Sequence, residues 1–381
     1  MRGIPNRAAP LASRSQVQDE NRMNSTEQPF QLHGFDVSLF TAKARVAMRY
    51  KQIFMEEKRA DIRMILKKTG MAFIPVVTTP EGETWQDTSD ILDRLEARFP
   101  SPPLYPPTPL HRLVCALVEL YSDEFALTPA MHTRWGTEES EAMTRLRFGA
   151  MLGSLERGDV AADQMVALRY GVGASPEAGP AIDAHIDLLL SALNEHFETH
   201  DYLLGARTSL ADCALMGPVY GHFYTDLVSR RRLLGTAIPV VRWIEFCNMP
   251  GADDQGDWFA EDEVPDSLRS ILTVMGQAAA PIQLAMVEDV EAWADENAKV
   301  GETPPRTVGT AKASLGGTEI SRDSQCYSLF MLQRVLDLYN ALDKDERCSI
   351  DGTLAGTGWE PVLAYHPRHR LEKRGFNLAF A

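Results

Sequence analysis

The chain carries the segment Phe73-Ile74-Pro75-Val76-Val77, followed by Gly82 and then by Gln86-Asp87-Thr88-Ser89-Asp90-Ile91. Pro75 cannot donate a hydrogen bond to a strand ladder, so we expect it at a strand start or a sheet edge. Glu81-Gly82 is typical of a turn and predicts a hairpin between Val76–Thr78 and Glu83–Trp85. The three residues that precede Asp90 are all favoured helix caps. The segment therefore predicts backbone groups and a helix N-terminus that face one cleft.

Upstream of this segment, short strands and helices alternate. The pattern predicts a strand at Phe30–Gly34, a helix from Thr41 to Lys51, a second strand at Phe54–Glu57 and a short helix from Asp61 to Lys68. The helix after the cap residues has an apolar face formed by Ile91, Leu92 and Leu95. The predicted order is therefore strand–helix–strand, a helix, two strands and a final helix.

A second signature lies far downstream, where Tyr202-Leu203-Leu204-Gly205 is followed by Ser209-Leu210-Ala211-Asp212. Ser209 and Asp212 have the spacing of a capping box in its acidic form. Such a box satisfies the free amides at the start of a buried helix, so the pair predicts a folding role.

The two signatures together resemble the glutathione transferase family, and the resemblance covers roughly Phe30 to Asn248. It implies an α+β N-terminal domain of thioredoxin-like βαβ-ββα type, followed by an all-α domain. In that family a cis-proline loop pairs with the backbone of glutathione, and an acidic or amide residue before Ser or Thr holds its γ-glutamyl end. The resemblance implies these roles for Ile74, Pro75, Asp87 and Thr88. Asp87 departs from the family pattern, because Gln or Glu is usual there and Asp is shorter by one methylene.

Composition and the resemblance together predict five regions in the chain. They are a disordered tail at 1–28, the thioredoxin-like glutathione-binding domain at 29–100, a proline-rich linker at 101–109, an all-helical domain at 110–250 and a C-terminal extension at 251–381. The extension has no counterpart in a typical family member. We expect it to be mostly helical, with two helices between Leu268 and Trp293 and a β-hairpin at 307–320.

Charge, hydropathy and cysteine content argue against several kinds of protein. The net charge of −15 argues against a general nucleic-acid binder, and we expect the basic residues after His366 to contact the acidic body of the protein. No run of about 18 apolar residues occurs, which predicts no membrane-spanning segment. The five cysteines are scattered without zinc spacing, so we expect no metal site and a reducing, cytoplasmic compartment.

A transferase of this kind needs glutathione as a thiolate, although a thiol with a pKa of about 8.5 is mostly protonated at neutral pH. A hydroxyl group and the positive end of a helix lower that pKa, and both occur where Ser38 to Thr41 enters the first helix. The resemblance places Ser38 at the catalytic serine, Thr41 is the alternative, and a purely local capping role is also open. Lys43 could contact the glycyl carboxylate of glutathione or be solvated. Disulfide exchange is excluded, because Ser38 to Thr41 contains no cysteine.

The stretch Met131-His132-Thr133-Arg134-Trp135 falls where the second domain lines the acceptor pocket in the family. His132 could act in acid–base chemistry, and Arg134 could hold an acidic group. Tyr121 is a further candidate for the same pocket. The alternative is that His132 and Arg134 lie on a solvated helix face while Trp135 packs in the core.

The resemblance implies an enzyme in which the thiolate of glutathione attacks a small hydrophobic electrophile, aromatic, halogenated or an ether. It also implies a homodimer and a role in detoxification. The alternative is a non-catalytic binding or scaffold protein with the same fold. The short Asp87, and Phe40 where some family members carry a polar residue, favour this alternative.

Overall fold

The computed structural model describes residues 28–250 and 256–381, so the predicted tail at 1–28 lies outside the described residues except for Gln28. The N-terminal part is a four-stranded sheet with the strand order β2-β1-β3-β4 and three helices. Its elements are β1 (Phe30–Gly34), α1 (Leu39–Tyr50), β2 (Met55–Arg59), α2 (Ile62–Thr69), β3 (Val76–Thr78), β4 (Thr84–Gln86) and α3 (Thr88–Arg98). The predicted thioredoxin-like fold class is confirmed.

The sheet combines one parallel and two antiparallel strand pairs. β1 runs parallel to β2 and antiparallel to β3, with His33 opposite Val76. β3 and β4 form a hairpin in which Val76 lies opposite Gln86. Each helix of this part begins after a side chain that accepts backbone N–H groups, and these caps are Ser38, Asp61 and Asp87. The caps fix where the chain leaves each strand and enters a helix.

The second part of the chain is helical, as predicted. Its elements are α4 (Pro109–Leu120), a π-helical segment (Tyr121–Phe125), α5 (Leu127–Trp135), α6 (Glu138–Leu152), α7 (Leu155–Gly171), α8 (Gly179–Thr199), α9 (Leu210–Pro218), a second π-helical segment (Val219–Tyr224), α10 (Leu227–Thr236) and α11 (Ile238–Asn248). Ser209 and Asp212 form the capping box of α9, and the buried Asp212 also accepts from Nε1 of Trp243 at 2.9 Å. This pair therefore ties two helices together.

The described part of the extension, 256–381, contains a short 3-10 helix (Ala260–Asp262), four α-helices and two β-hairpins. Its elements are α12 (Asp266–Asn297), β5 (Thr307–Leu315), β6 (Thr318–Gln325), α13 (Cys326–Asn340), α14 (Lys344–Leu354), α15 (Glu360–Leu363), β7 (Leu371–Arg374) and β8 (Asn377–Phe380). The prediction of two helices between Leu268 and Trp293 is wrong, because α12 continues through Pro281. Buried residues on both sides of this proline, such as Met275 and Met286, keep the helix packed although one backbone donor is missing.

Among the described helices, α12 alone is long and apolar enough to cross a membrane by length and composition. Most of its apolar segment, 61%, is buried inside the protein. α12 packs against α8 and the β5–β6 hairpin. Burial in the core therefore explains its apolar composition.

One group of buried apolar side chains runs through all three parts of the chain. It includes Val46 in α1, Leu117 in α4, Leu189 in α8, Met286 in α12 and Leu329 in α13. The extension contributes α13, which packs against α4, and α12, which packs against α8. The extension therefore shares its core with the rest of the molecule.

Candidate functional site

The end of β1, the start of β3 and the end of β4 lie side by side at one edge of the sheet. This follows from the register, because His33 pairs with Val76 and Val76 pairs with Gln86. The loop that leads to Ser38, the Ile74–Pro75 peptide and the Asp87–Thr88 turn are therefore neighbours. The Ile74–Pro75 peptide bond is cis.

Ser38 is the half-buried cap of α1. Its Oγ accepts from the backbone N–H of Thr41 at 3.3 Å, so its own hydroxyl proton is left to donate elsewhere. The N-terminus of α1 adds partial positive charge at the same place. Thr41 itself is 1% exposed and packs against Gly34, where an added Cβ would come within 2.4 Å of the threonine hydroxyl. Of the two candidates, Ser38 is the accessible one.

Arg134 holds the loop before Ser38. The guanidinium donates to the carbonyl of Val37 at 2.9 Å, to the carbonyl of Gly221 at 2.5 Å and to Asp226 at 3.0 Å. Arg134 is 5% exposed, so it lies neither on a solvated face nor in position to hold an acidic substrate. Both interpretations of Arg134 from the sequence are wrong. Its position shows a loop-tethering role instead.

Asp87 is the cap of α3 and has an unusual backbone. Its φ of 81° and ψ of 120° are sparsely populated for a residue other than glycine, and such conformations cluster at functional sites. Its Oδ1 accepts from the N–H groups of Ser89 and Asp90 at 3.0 and 3.3 Å. Thr88, which is 5% exposed, begins the helix, where backbone N–H groups lack helical partners.

The extension reaches Asp87 as well. Nζ of Lys373 in β7 lies 3.0 Å from Oδ2 of Asp87, and Tyr327 in α13 lies close enough to the same carboxylate to feel its charge. Burial and Asp87 raise the pKa of Tyr327 well above its ordinary value, so the hydroxyl stays protonated. Asp87 therefore accepts two hydrogen bonds from its own helix and forms an ion pair with Lys373 of the extension.

Lys43 is completely buried in an ionic cluster. Its Nζ donates to Asp123 Oδ2 at 2.5 Å, to Glu119 Oε1 at 2.7 Å and to Ser89 Oγ at 3.3 Å. An ammonium group has three donors, so none is left for the glycyl carboxylate of glutathione. The prediction that Lys43 binds glutathione is wrong. The cluster instead joins α1, α3 and α4 beside the site.

The two carboxylates of this cluster differ in pKa. Burial raises the pKa of Asp123 to about 7, although Lys43 acts in the opposite direction. Burial also acts upward on Glu119, but the charges of Lys43 and Arg334 outweigh it and lower the pKa of that group. Because two buried carboxylates share one ammonium group, they titrate as a unit.

The remaining acceptor-pocket candidates lie in different environments. Tyr121 is completely buried in the first π-helical segment, and its hydroxyl lies 2.7 Å from Nε2 of His185. Its assignment to an acceptor pocket is therefore wrong. His132 is half-buried, with Nε2 3.3 Å from Oδ1 of Asp183. His132 alone of the three predicted pocket residues, Tyr121, His132 and Arg134, stays partly accessible.

Two residues at the site, Tyr327 and Lys373, were not identified from the sequence. The basic C-terminal end predicts contacts with acidic residues, and Lys373 makes one, but the pattern does not say which carboxylate it meets. Tyr327 is part of an ordinary amphipathic helix pattern. Within residues 28–250 and 256–381, no group of three or more His, Cys, Asp or Glu side chains is placed to hold a metal ion.

The chain is similar to known glutathione transferases. The family model of the glutathione S-transferase N-terminal domain matches residues 32–103. The beta-etherase LigF from Sphingobium sp. strain SYK-6 is 15% identical, with a TM-score of 0.40, over 58% of this chain and 95% of that chain. A glutathione S-transferase from Rhodospirillum rubrum F11 is 15% identical, with a TM-score of 0.39, over 63% and 97% of the two chains. Rice GST1, solved in complex with glutathione, is 19% identical, with a TM-score of 0.38, over 60% and 90%.

No curated protein matches the chain. The residues matched by the family model include Ser38, the cis peptide at Pro75 and the Asp87–Thr88 turn, which together form the sheet edge described above. The family that this part of the chain resembles, residues 32–103, is therefore the N-terminal domain of the glutathione S-transferases.

Proposed function

We propose that this protein is a glutathione transferase-like enzyme, in which the glutathione thiolate attacks an electrophilic carbon of a small hydrophobic molecule. The observation that supports this most is the strand register. It places a helix-capping hydroxyl, a cis-proline strand start and a second helix N-terminus at one edge of the sheet. These are the groups that a thiol-bearing peptide with a free carboxylate needs.

Each group has a distinct role in this proposal. The backbone at Ile74, aimed by Pro75, pairs with the peptide backbone of glutathione. Thr88 and the N-terminus of α3 receive the γ-glutamyl carboxylate, and Asp87 receives the neighbouring amino group. The free hydroxyl proton of Ser38 and the N-terminus of α1 stabilise the thiolate.

The acceptor is proposed to be an aromatic, halogenated or ether electrophile. His132 is the remaining candidate to act on it, because Tyr121 and Arg134 are committed to internal contacts. We also propose that the protein is a homodimer, that it lies in the cytoplasm and that its role is detoxification. Sedimentation analysis of the full chain tests the dimer.

Calorimetric titration with reduced glutathione tests the pocket. We expect binding in the wild type and its loss in Thr88→Ala, because that change removes the hydroxyl at the start of α3. Thr236→Ala is the matched control, since Thr236 is an exposed helical threonine far from the sheet edge in sequence. A folded wild-type protein that gives neither heat nor a thermal shift at saturating glutathione would overturn the enzyme proposal.

A second experiment tests the role of Ser38. We expect Ser38→Ala to raise the pKa of bound glutathione thiol by one unit or more, and so to slow conjugation of chlorodinitrobenzene at least about ten-fold at neutral pH. Ser154→Ala is the control, because the Ser154 hydroxyl caps α7 through the same type of bond, from Arg157 N–H at 3.2 Å. Equal rates in Ser38→Ala and Ser154→Ala would leave Ser38 with a capping role alone.

A non-catalytic binding protein is the second candidate. One observation favours it: Lys373 already pairs with the carboxylate that the first proposal assigns to the amino group of glutathione. The calorimetric titration separates the two, since a scaffold protein that has lost the glutathione site gives no heat.

A further inference from the structure

Both oxygens of the Asp87 carboxylate have partners in the protein itself. An ionised carboxylate has about four acceptor positions. Two are taken by the N–H groups of Ser89 and Asp90 on Oδ1, and Nζ of Lys373 lies 3.0 Å from Oδ2. The Asp87 and Lys373 side chains are 16% and 20% exposed, so the pair stands at the border of the protein and the solvent.

The ammonium of Lys373 is chemically the same kind of donor as the amino group of a γ-glutamyl ligand. Both are positively charged, and both need an oxygen of Asp87 that the helix cap does not use. We propose that Lys373 is a built-in competitor for the amino group of glutathione, so that ligand binding displaces Lys373 from Asp87. This inference rests on the proposed function.

The structure provides a place for the displaced side chain. A cleft of about 400 Å³ lies between α3, α13 and β7, and the carboxylates of Asp90, Asp93 and Glu372 line it beside Lys373. Asp90 and Glu372 are already paired with the neighbouring Arg94 and Arg374 in partly exposed ion pairs. Such pairs are weak, so their carboxylates can accept Lys373 at little cost.

The backbone around Lys373 is held independently of Asp87. The side chain of Gln333 accepts from Leu371 N–H at 2.9 Å and donates to the Leu371 carbonyl at 3.0 Å. Phe380 in β8 stacks on Trp293 of α12. The hairpin is therefore anchored at both strands, and the competition needs a movement of the Lys373 side chain rather than release of the extension.

Titration calorimetry with reduced glutathione on the full chain tests the competition. We expect Lys373→Met to bind glutathione about five-fold more tightly than the wild type, the effect of removing one partly exposed ion pair. Lys373→Arg should stay close to the wild type, because it keeps the charge. Lys312→Met controls for net charge, since exposed Lys312 pairs with Glu319 across the β5–β6 hairpin. Acetylation of lysines, read by mass spectrometry, should show Lys373 becoming more reactive when glutathione is added.

The outcomes separate this inference from the function on which it rests. Unchanged or weaker binding by Lys373→Met, with normal binding by the wild type, overturns the competition and leaves the proposed function intact. Absence of binding by both proteins overturns the proposed function and the competition together. Binding by Lys373→Met alone would show that Lys373 blocks the site, and it would overturn the enzyme proposal for the wild-type protein.

Discussion

At the level of single residues, Lys43 is the buried charge on which the surrounding cluster depends. Its side chain is completely buried, and its two carboxylate partners are at most 2% exposed. Lys43→Met would leave Glu119 and Asp123 without their shared cation. We therefore expect the free energy of unfolding to fall by about 3–5 kcal/mol, measured by urea denaturation at neutral pH.

Lys58→Met is the matched control for this change. Lys58 pairs with Glu56, but both side chains are substantially exposed, and such pairs contribute little. We expect a change of no more than about 1 kcal/mol. If Lys43→Met lowered the free energy of unfolding by no more than Lys58→Met, the buried ionic cluster would contribute no more to stability than an exposed ion pair.

Asp123 gives stability a pH dependence of defined sign. Burial raises the pKa of Asp123, which titrates together with Glu119, from 3.8 to about 7 in the folded protein, so the folded pair binds a proton more tightly than the unfolded chain. The resulting stabilisation is present below about pH 4 and is lost as the pH rises to about 7. We expect Asp123→Asn, which carries no titrating group, to lose less stability than the wild type between about pH 5 and pH 8. Urea denaturation of both proteins measures this, and parallel pH profiles would contradict it.

The sequence reveals the role of a site residue when its contacts lie nearby in the chain, and fails to do so when they lie far away. Ser38, Pro75 and Asp87 act through strand ends and helix caps, which short sequence patterns reveal. Lys43 and Arg134 were assigned wrongly because their burial depends on partners in distant segments of the chain, Asp123 and Asp226 among them. No local pattern specifies which distant carboxylate a lysine or arginine meets.

At the level of elements, the start of α1 rests directly on the second π-helical segment. A Cβ on Gly221 would lie 3.0 Å from Cα and 3.1 Å from N of Leu39. Since these are backbone atoms next to Ser38, Gly221→Ala must shift the helix start by a few tenths of an ångström. We expect a stability loss of about 1 kcal/mol and a slower conjugation rate, with little change in glutathione affinity. Urea denaturation, turnover and calorimetry measure the three quantities.

Gly235→Ala should have the opposite effect on stability. Gly235 lies in α10, and a Cβ there would meet no atom within 4 Å. Alanine has the higher helix propensity, so we expect a gain of about 0.5–1 kcal/mol and unchanged turnover. If Gly221→Ala and Gly235→Ala changed stability in the same direction, the contact of Gly221 with the backbone next to Ser38 would not explain the effect of Gly221→Ala.

Elements with strong local signals were predicted, whereas those that depend on tertiary context were not. Caps and apolar periodicity revealed α1 to α3, but the pattern around Pro281 suggested a break where packing carries α12 onward. The β7–β8 hairpin escaped notice because its strands are short and only Leu371, Ala379 and Phe380 are buried. The two π-helical segments continue helices without a distinct sequence pattern, so they were not predicted.

At the level of the whole molecule, the shared core makes the extension part of the unit that carries the site. Leu329 and Leu338 lie on the same helix, α13, but Leu329 is completely buried and Leu338 is 38% exposed. Leu329→Ala should reduce the free energy of unfolding by about 2–5 kcal/mol, since it leaves a cavity, whereas Leu338→Ala should change it little.

The decisive measurement shows which parts of the chain lose stability in Leu329→Ala. Hydrogen exchange of amides in α1, far from residue 329 in sequence, should report the same reduction in opening free energy, because α1 and α13 draw on one group of buried side chains. Exchange in α1 that is unaffected by Leu329→Ala, while α13 becomes less protected, would show that the extension opens independently. If α1 and α13 lost protection together, the stability of the Ser38 and Asp87 region would depend on residues beyond 256.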